Sequence, residues 1–334
     1  MSETGPTSEI ARKVCDDIFG IFFWEIHPKS DDNFKCTNIN HRTPKDRQKK
    51  THPADVVFSY EDPYLEKKTY LHTDMKSYGI GSIKAENLRD AFRSLCLTVE
   101  CARQSEDWRK LYSIPDDESH DVEGFLFVHN HDKAHVNEFS EALSKISLSA
   151  LPVAADTVIH FMGPNDVLRL YSVAHDIMHL RFLELLPKEN YTFYYPDLLL
   201  KRRRTDEWKQ AATIELLMSP FFIIKHDKTE KASQGYLIYY NRSGATVAEF
   251  EYLFDSMSRY QMLEKGLALK VRCCYKNSDD AMQSNFLAAK KKYAKAWGFD
   301  ERRTQLLEGI KLEKIPSMAD TYTPGDLGWR EDEE

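Results

Sequence analysis

Two aspartates and a lysine carry the first chemical signal in this chain. Asp55 opens the apolar run Val56-Val57-Phe58-Ser59-Tyr60, and Asp74-Met75-Lys76 closes a second run, Thr69-Tyr70-Leu71-His72-Thr73. Both runs have the composition of β-strands, and the polar stretch between them holds the turn pair Asp62-Pro63, so a hairpin is expected. Side chains alternate between the faces of a strand, which puts Asp74 and Lys76 on one side. Carboxylates beside an ammonium group are the parts needed for metal-assisted hydrolysis of a phosphodiester. One or two carboxylates suffice for Mg2+, an ion that keeps several of its waters. A lysine placed there stabilises the negative charge that develops on the reacting phosphate.

The elements around the hairpin have to position these groups. Ile10, Val14, Ile18, Phe22 and Ile26 recur every fourth residue and predict a helix from Ser8, its N-cap, to about Ile26, closed by Pro28. Glu25 on that helix is the candidate to complete the metal shell, with Asp17 behind it. The stretch 29–51 is polar and reads as a loop, or as a weak strand around Asn33 to Asn38. It carries Arg42, Lys45, Arg47, Lys49 and Lys50 immediately ahead of Asp55. Charge runs are ordinarily solvated faces, but in a protein acting on nucleic acid this loop is the nearest segment to touch phosphates. After the hairpin, Gly79 and Gly81 mark a turn, and Leu88, Phe92, Leu95 and Val99 give a helix over Glu86–Ala102 its apolar stripe.

A chain of 334 residues with 42% hydrophobic and 30% charged residues is long enough for two soluble domains. Its formal net charge of -7 means that any nucleic-acid surface is local. Two further basic runs, Lys201-Arg202-Arg203-Arg204 and Lys290-Lys291-Lys292, make Arg202, Arg203 and Lys291 candidate phosphate contacts beside Arg47, Lys49 and Lys50. Six cysteines without C-x-x-C spacing read as free thiols of a reducing compartment and argue against a zinc ribbon. The polar N-terminus has no signal pattern and the apolar segment Ile18–Trp24 is too short to span a bilayer, so a cytoplasmic protein off the membrane is expected.

The polar stretch 103–122 reads as a domain boundary, dividing the chain into residues 1–110, a second α/β domain over 111–317, and an acidic tail over 318–334. A repeat runs through the second part. Gly124-Phe-Leu-Phe-Val-His-Asn130 followed by Val136-Asn-Glu-Phe139 matches Gly235-Tyr-Leu-Ile-Tyr-Tyr-Asn241 followed by Val247-Ala-Glu-Phe250. Each copy, about 124–161 and 235–273, reads as a β-α-β unit. His175 and His179 sit one helical turn apart, a spacing able to hold zinc, yet Asp176 stands where a metalloprotease has its glutamate, and an exposed helix face is the plainer reading. Tyr191, Phe193, Tyr194 and Tyr195 are expected to pack in a core, and Cys273 and Cys274 to be buried strand thiols.

Asp55, a hairpin, then Asp74-Met75-Lys76, between an acidic helix and a second helix, resembles the PD-(D/E)xK nuclease superfamily, the restriction-endonuclease-like fold. The resemblance covers about residues 8–102, with one departure: Ala54 stands between Pro53 and Asp55. It implies an α/β protein whose N-terminal mixed sheet is flanked by helices, with Asp55 and Asp74 as metal ligands, Glu25 as the helical acid and Lys76 as the catalytic lysine. It also implies Mg2+ or Mn2+ as cofactor and nucleic acid, DNA in first place, as substrate. A nuclease of this kind joined to an unassigned α/β domain looks like an effector of bacterial anti-phage defence, its second domain docking a protein partner or further copies of itself. The alternative is an inactive adaptor that keeps the fold.

Overall fold

The computed structural model describes residues 6–29, 32–43, 45–54, 56–65, 67–78, 84–130, 136–147, 154, 156–196, 209–264, 266–296, 298, 300–320 and 322. The chain divides into two compact units: residues to Leu168 with the stretch from Asp320, and Arg169–Ala319.

In the first unit the chain runs through α1 (Pro6–Asp17), a 3-10 turn at Phe19–Phe22, β1 (Glu25–Ile26), β2 (Asp32–Lys35), β3 (Thr51–Ala54), β4 (Val56–Asp62) and β5 (Lys67–Tyr78). It continues with α2 (Ala85–Ala102), α3 (Glu106–Leu111), β6 (His120–Asn130), α4 (Val136–Ser144) and β7 (Ile159–Met162). Five strands form one mixed sheet in the order β1-β4-β5-β6-β7, the first two pairings antiparallel and the last two parallel. β2 and β3 form a small antiparallel sheet of their own.

The aromatic residues of this unit explain its layering. Phe19 stacks on Trp24 at 4.5 Å and meets Phe58, Phe125 and Phe127 edge-on, which seals one face of the sheet. On the other face Leu88, Leu95 and Val99 of α2 pack on Leu126 and Val128 of β6. The sequence pattern thus gives α2 correctly, one residue longer than expected at its start.

Two expectations change. The periodic helix to Ile26 ends early: α1 stops at Asp17, Ile18 leaves helical geometry at φ -129° and ψ -68°, and after the 3-10 turn Phe23 adopts a left-handed φ of 64°, so Glu25 becomes a strand residue. The polar stretch 103–122 is no linker either. Its Trp108 is fully buried in the first unit, edge-on to Tyr70, and β6 extends the first sheet, so the boundary falls at Leu168 rather than near residue 110.

The second unit contains most of α5 (Pro164–Phe182), then β8 (Tyr191–Phe193), α6 (Ile214–Met218), β9 (Phe221–His226) and β10 (Gly235–Tyr240). It ends with α7 (Val247–Arg259), β11 (Ala268–Cys273), α8 (Met282–Ala296), α9 (Glu301–Gly309) and β12 (Lys311–Lys314). Its sheet, β8-β9-β10-β11-β12, repeats the strand directions of the first: antiparallel, antiparallel, parallel, parallel. The sequence repeat marks real β-α-β units, because β6 and β7 pair in parallel as β10 and β11 do. Gly124 lies opposite Ile159 and Gly235 opposite Ala268, each the first residue of the following strand. Tyr191, Phe193, Tyr194 and Tyr195 are core residues, as are Cys273 and Cys274. Among the described residues no helix is long and apolar enough to cross a membrane.

Candidate active site at the end of strand β5

Turn chemistry and register place the site. The Asp62 carboxylate accepts the backbone N–H groups of Tyr64 and Leu65 at 2.8 and 3.0 Å, an Asx-type turn that fixes the β4–β5 hairpin. The ladder then runs from Asp62 opposite Lys67 to Val56 opposite Thr73, so Asp74 is the next residue beyond it. Asp74 and Lys76 pair along β6 with Leu126 and Val128, the residues that pack beneath α2, and so lie on the α2 side of the sheet.

Along that face burial falls by steps. His72 is buried and its Nδ1 accepts from Trp108 Nε1 at 3.3 Å; burial holds its pKa down at about 4. The Asp74 side chain is 14% exposed and that of Lys76 37%, with 2.7 Å between Nζ and Oδ1. A carboxylate set back from solvent with an ammonium group at its mouth is suited to a charged ligand arriving from outside.

A second cation approaches from the β2–β3 hairpin. Lys49 is half-buried, and burial lowers its pKa while the Cys36 and Cys101 thiols and the Asp74 carboxylate pull it back up. Asp74 therefore sits in the field of two ammonium groups, Lys76 and Lys49.

Residues 1–166 match the family model described as "GAPS4 protein PD-(D/E)XK nuclease domain". The match ends two residues short of Leu168, where the first compact unit ends its main stretch. This first unit belongs to the PD-(D/E)XK nuclease superfamily. No curated protein and no solved structure matches the chain.

Within the nuclease domain the expected site residues separate. Asp55 lies outside the described residues; its neighbours Ala54 and Val56 are buried, at the end of β3 and the start of β4. Glu25 is not brought to Asp74 and Lys76. It pairs with Ser59, and Ser59 with Tyr70, four residues before Asp74. That is about 13 Å along the sheet at the usual rise per residue, as well as two strands away. The Glu25 side chain is 72% exposed and pairs with Lys68 at 3.0 Å. Asp17 binds Lys13 at 3.1 Å and accepts from the Tyr322 hydroxyl at 3.1 Å. The carboxylates left to the nuclease site from the sequence reading are Asp55 and Asp74.

The remaining candidates are scattered. Arg47 and Lys50 are exposed beside Lys49, and Lys291 is exposed on α8 of the second unit. Arg202 and Arg203 lie outside the described residues. His175 and His179 are exposed on α5, His175 edge-on to Tyr171 at 4.4 Å, and neither belongs to a group of three ligating side chains among the described residues. Between them Asp176 turns inward and binds Arg272 through both oxygens, each at 2.6 Å, while accepting from the Tyr239 hydroxyl at 2.8 Å. The aspartate in that motif is structural. Sequence reasoning placed Lys49 among surface phosphate contacts and missed its approach to Asp74, because residues 25 apart share no period.

Proposed function

We propose that the nuclease domain hydrolyses phosphodiester bonds in DNA with the help of Mg2+ (or Mn2+). The observation that carries this reading is the Asp74–Lys76 pair on one face of β5, in a domain of the nuclease superfamily. Asp55 and Asp74 would hold the ion, and two carboxylates fit one that keeps most of its waters. A bound divalent ion polarises the phosphoryl oxygen and acidifies a coordinated water. Lys76 orients the attacking water and offsets the charge that builds on the phosphate. Lys49 adds a second positive charge in the field of Asp74, with Arg47 and Lys50 as exposed contacts to neighbouring phosphates. The protein works in the cytoplasm as the effector of a bacterial anti-phage system, and its second unit docks a protein partner or further copies of the chain.

The test is cleavage of plasmid DNA and of an RNA of similar length by the full chain in Mg2+. DNA is cut, RNA is spared, EDTA stops the reaction, and Asp74→Ala abolishes it. Cleavage that continues unchanged in Asp74→Ala would falsify the assignment. A wild-type chain that neither cuts nor binds Mn2+ in calorimetry would instead support an adaptor that keeps the fold.

A further inference from the structure

Between the β2–β3 hairpin and α2, four ligating side chains converge on one point. Cys36 and His41 come from the hairpin loop, His52 from β3 and Cys101 from the last turn of α2. Cys36 Sγ stands 3.7 Å from Cys101 Sγ and 3.5 Å from His41 Nδ1. His41 Nδ1 stands 3.4 Å from Cys101 Sγ and 3.4 Å from His52 Nε2. All four atoms lie within 4.8 Å of one another. Thiolates at about 2.3 Å and imidazoles at about 2.0 Å from a tetrahedral centre put sulfurs about 3.8 Å apart, sulfur and nitrogen about 3.5 Å, and two nitrogens about 3.3 Å. The four short distances, among Cys36, Cys101 and His41 and from His41 to His52, match those of a zinc coordination shell to within about 0.1 Å.

The groups around each imidazole suit a proton on its far side. Thr98 donates its hydroxyl hydrogen to the Ser94 carbonyl at 2.8 Å. Its oxygen, 3.1 Å from His52 Nδ1, is thus free to accept from that nitrogen, which leaves Nε2 with its lone pair facing the cluster. On His41, Nε2 faces Glu100 Oε1 at 3.4 Å, and Glu100 is itself held by Asn38 Nδ2 at 2.7 Å. Carboxylate–histidine pairs of this kind orient metal-bound imidazoles. With both far nitrogens protonated, two nitrogen lone pairs face each other at 3.4 Å, an arrangement that a cation between them stabilises and that repels without one. The Thr37 hydroxyl donates to Cys101 Sγ at 3.5 Å, as a thiolate requires. A disulfide is a poor account of the same atoms, since bonded sulfurs are about 2.05 Å apart.

We propose that Cys36, His41, His52 and Cys101 bind a structural zinc ion. Four protein ligands with no open position make a closed site, and the soft-and-imidazole donor set with tetrahedral spacing selects zinc. The need for it is visible in the hairpin. A two-stranded sheet is marginal in water, and on β2 only Phe34 is buried. The ion ties this hairpin to the core helix α2 and fixes the loop that carries Lys49 and the strand that leads to Asp55. The inference is independent of the cleavage reaction. Because Cys36 and Cys101 are 65 residues apart, the sequence shows no zinc-ribbon spacing, and the free-thiol reading applies to the other four cysteines.

The test is metal analysis of the full chain purified without metal-affinity steps and dialysed against EDTA, which strips weakly held Mg2+. One zinc per chain is retained, and a mercurial that caps thiols releases it. Cys36→Ser and Cys101→Ser lose the ion, whereas Cys273→Ser keeps it. Should the first two variants fail to fold, the wild-type chain loaded with Co2+ decides. Tetrahedral ligand-field bands with thiolate-to-cobalt charge transfer support the site. Octahedral cobalt, zinc-free protein from zinc-supplemented cells, or a Cys36–Cys101 disulfide in mass spectra would each overturn it.

Discussion

Asp74 and Lys76 were legible in the sequence because strand alternation needs only local spacing, and the structure keeps them 2.7 Å apart. Glu25 was not, because its position depended on a helix that ends at Asp17, ahead of a 3-10 turn that Phe23 closes in the left-handed region. Asp176 shows the same limit from the other side: two histidines one turn apart suggested a metal, while the residue between them is committed to Arg272. Replacing Asp176 with Ala removes the buried two-point partner of Arg272, leaving Glu313 at 3.3 Å as its other carboxylate, and is expected to cost about 3 kcal/mol in denaturant unfolding. His175→Ala, on the exposed face, should stay within about 0.5 kcal/mol of wild type. A loss at His175 as large as that at Asp176 would contradict this assignment. His226 on β9 supplies a pH dependence. Burial lowers its pKa, with Lys270 lowering it further and Asp227 and its carbonyl opposing. The unfolded chain therefore binds the proton first, so this stabilisation is complete above the ordinary histidine value near 6.5 and fades as pH falls below it. His226→Gln should flatten the fall in unfolding free energy between about pH 7.5 and about pH 5.

At the level of elements, the glycines that begin the two repeat copies, Gly124 within β6 and Gly235 at the start of β10, are the informative positions. A Cβ at Gly235 would stand 2.0 Å from the Ala268 carbonyl oxygen, a backbone atom that cannot move without parting β10 from β11. At Gly124 the nearest atom is Ile159 Cδ1 at 2.3 Å, the end of a side chain that can rotate. Gly235→Ala is expected to cost about 3 kcal/mol or more, at or above the usual range for overpacking, and Gly124→Ala about 1 kcal/mol. Equal losses would mean that the two β-α-β units are not pinned in the way the register shows. The α2 helix was legible from its apolar stripe, and so was the β4–β5 hairpin from Asp62-Pro63. The β2–β3 hairpin is legible only as a loop or a weak strand around Asn33 to Asn38, overlapping β2, because its chain is polar and what holds it comes from α2, far along the sequence.

The whole molecule sets two five-stranded sheets of the same strand order and direction in one chain. The sequence repeat pointed to this but matched β6 to β10, whereas strand order matches β5 to β10 and β6 to β11. In the second unit the residue after the ladder partner of the first β9 residue is Asn241, and two positions on stands Ser243. The architecture recurs without the aspartate and lysine, so the proposed cleavage is assigned to the first unit. Asn241→Ala should leave the plasmid cleavage rate within about twofold of wild type, since no charge that a phosphate needs is removed. A loss as deep as that of Asp74→Ala would place chemistry in the second unit.

The most direct measurement of the central claim is the single-turnover rate of plasmid cleavage in Mg2+ for the wild-type chain and for Lys76→Ala. Lys76 is 37% exposed and its pair with Asp74 is near the surface, so the variant stays folded, with unfolding free energy lowered by under about 1 kcal/mol. Its cleavage rate is predicted to fall by about a hundredfold or more, the loss expected when a charge-stabilising donor leaves a transition state. A folded Lys76→Ala chain that cuts DNA at the wild-type rate would contradict the account.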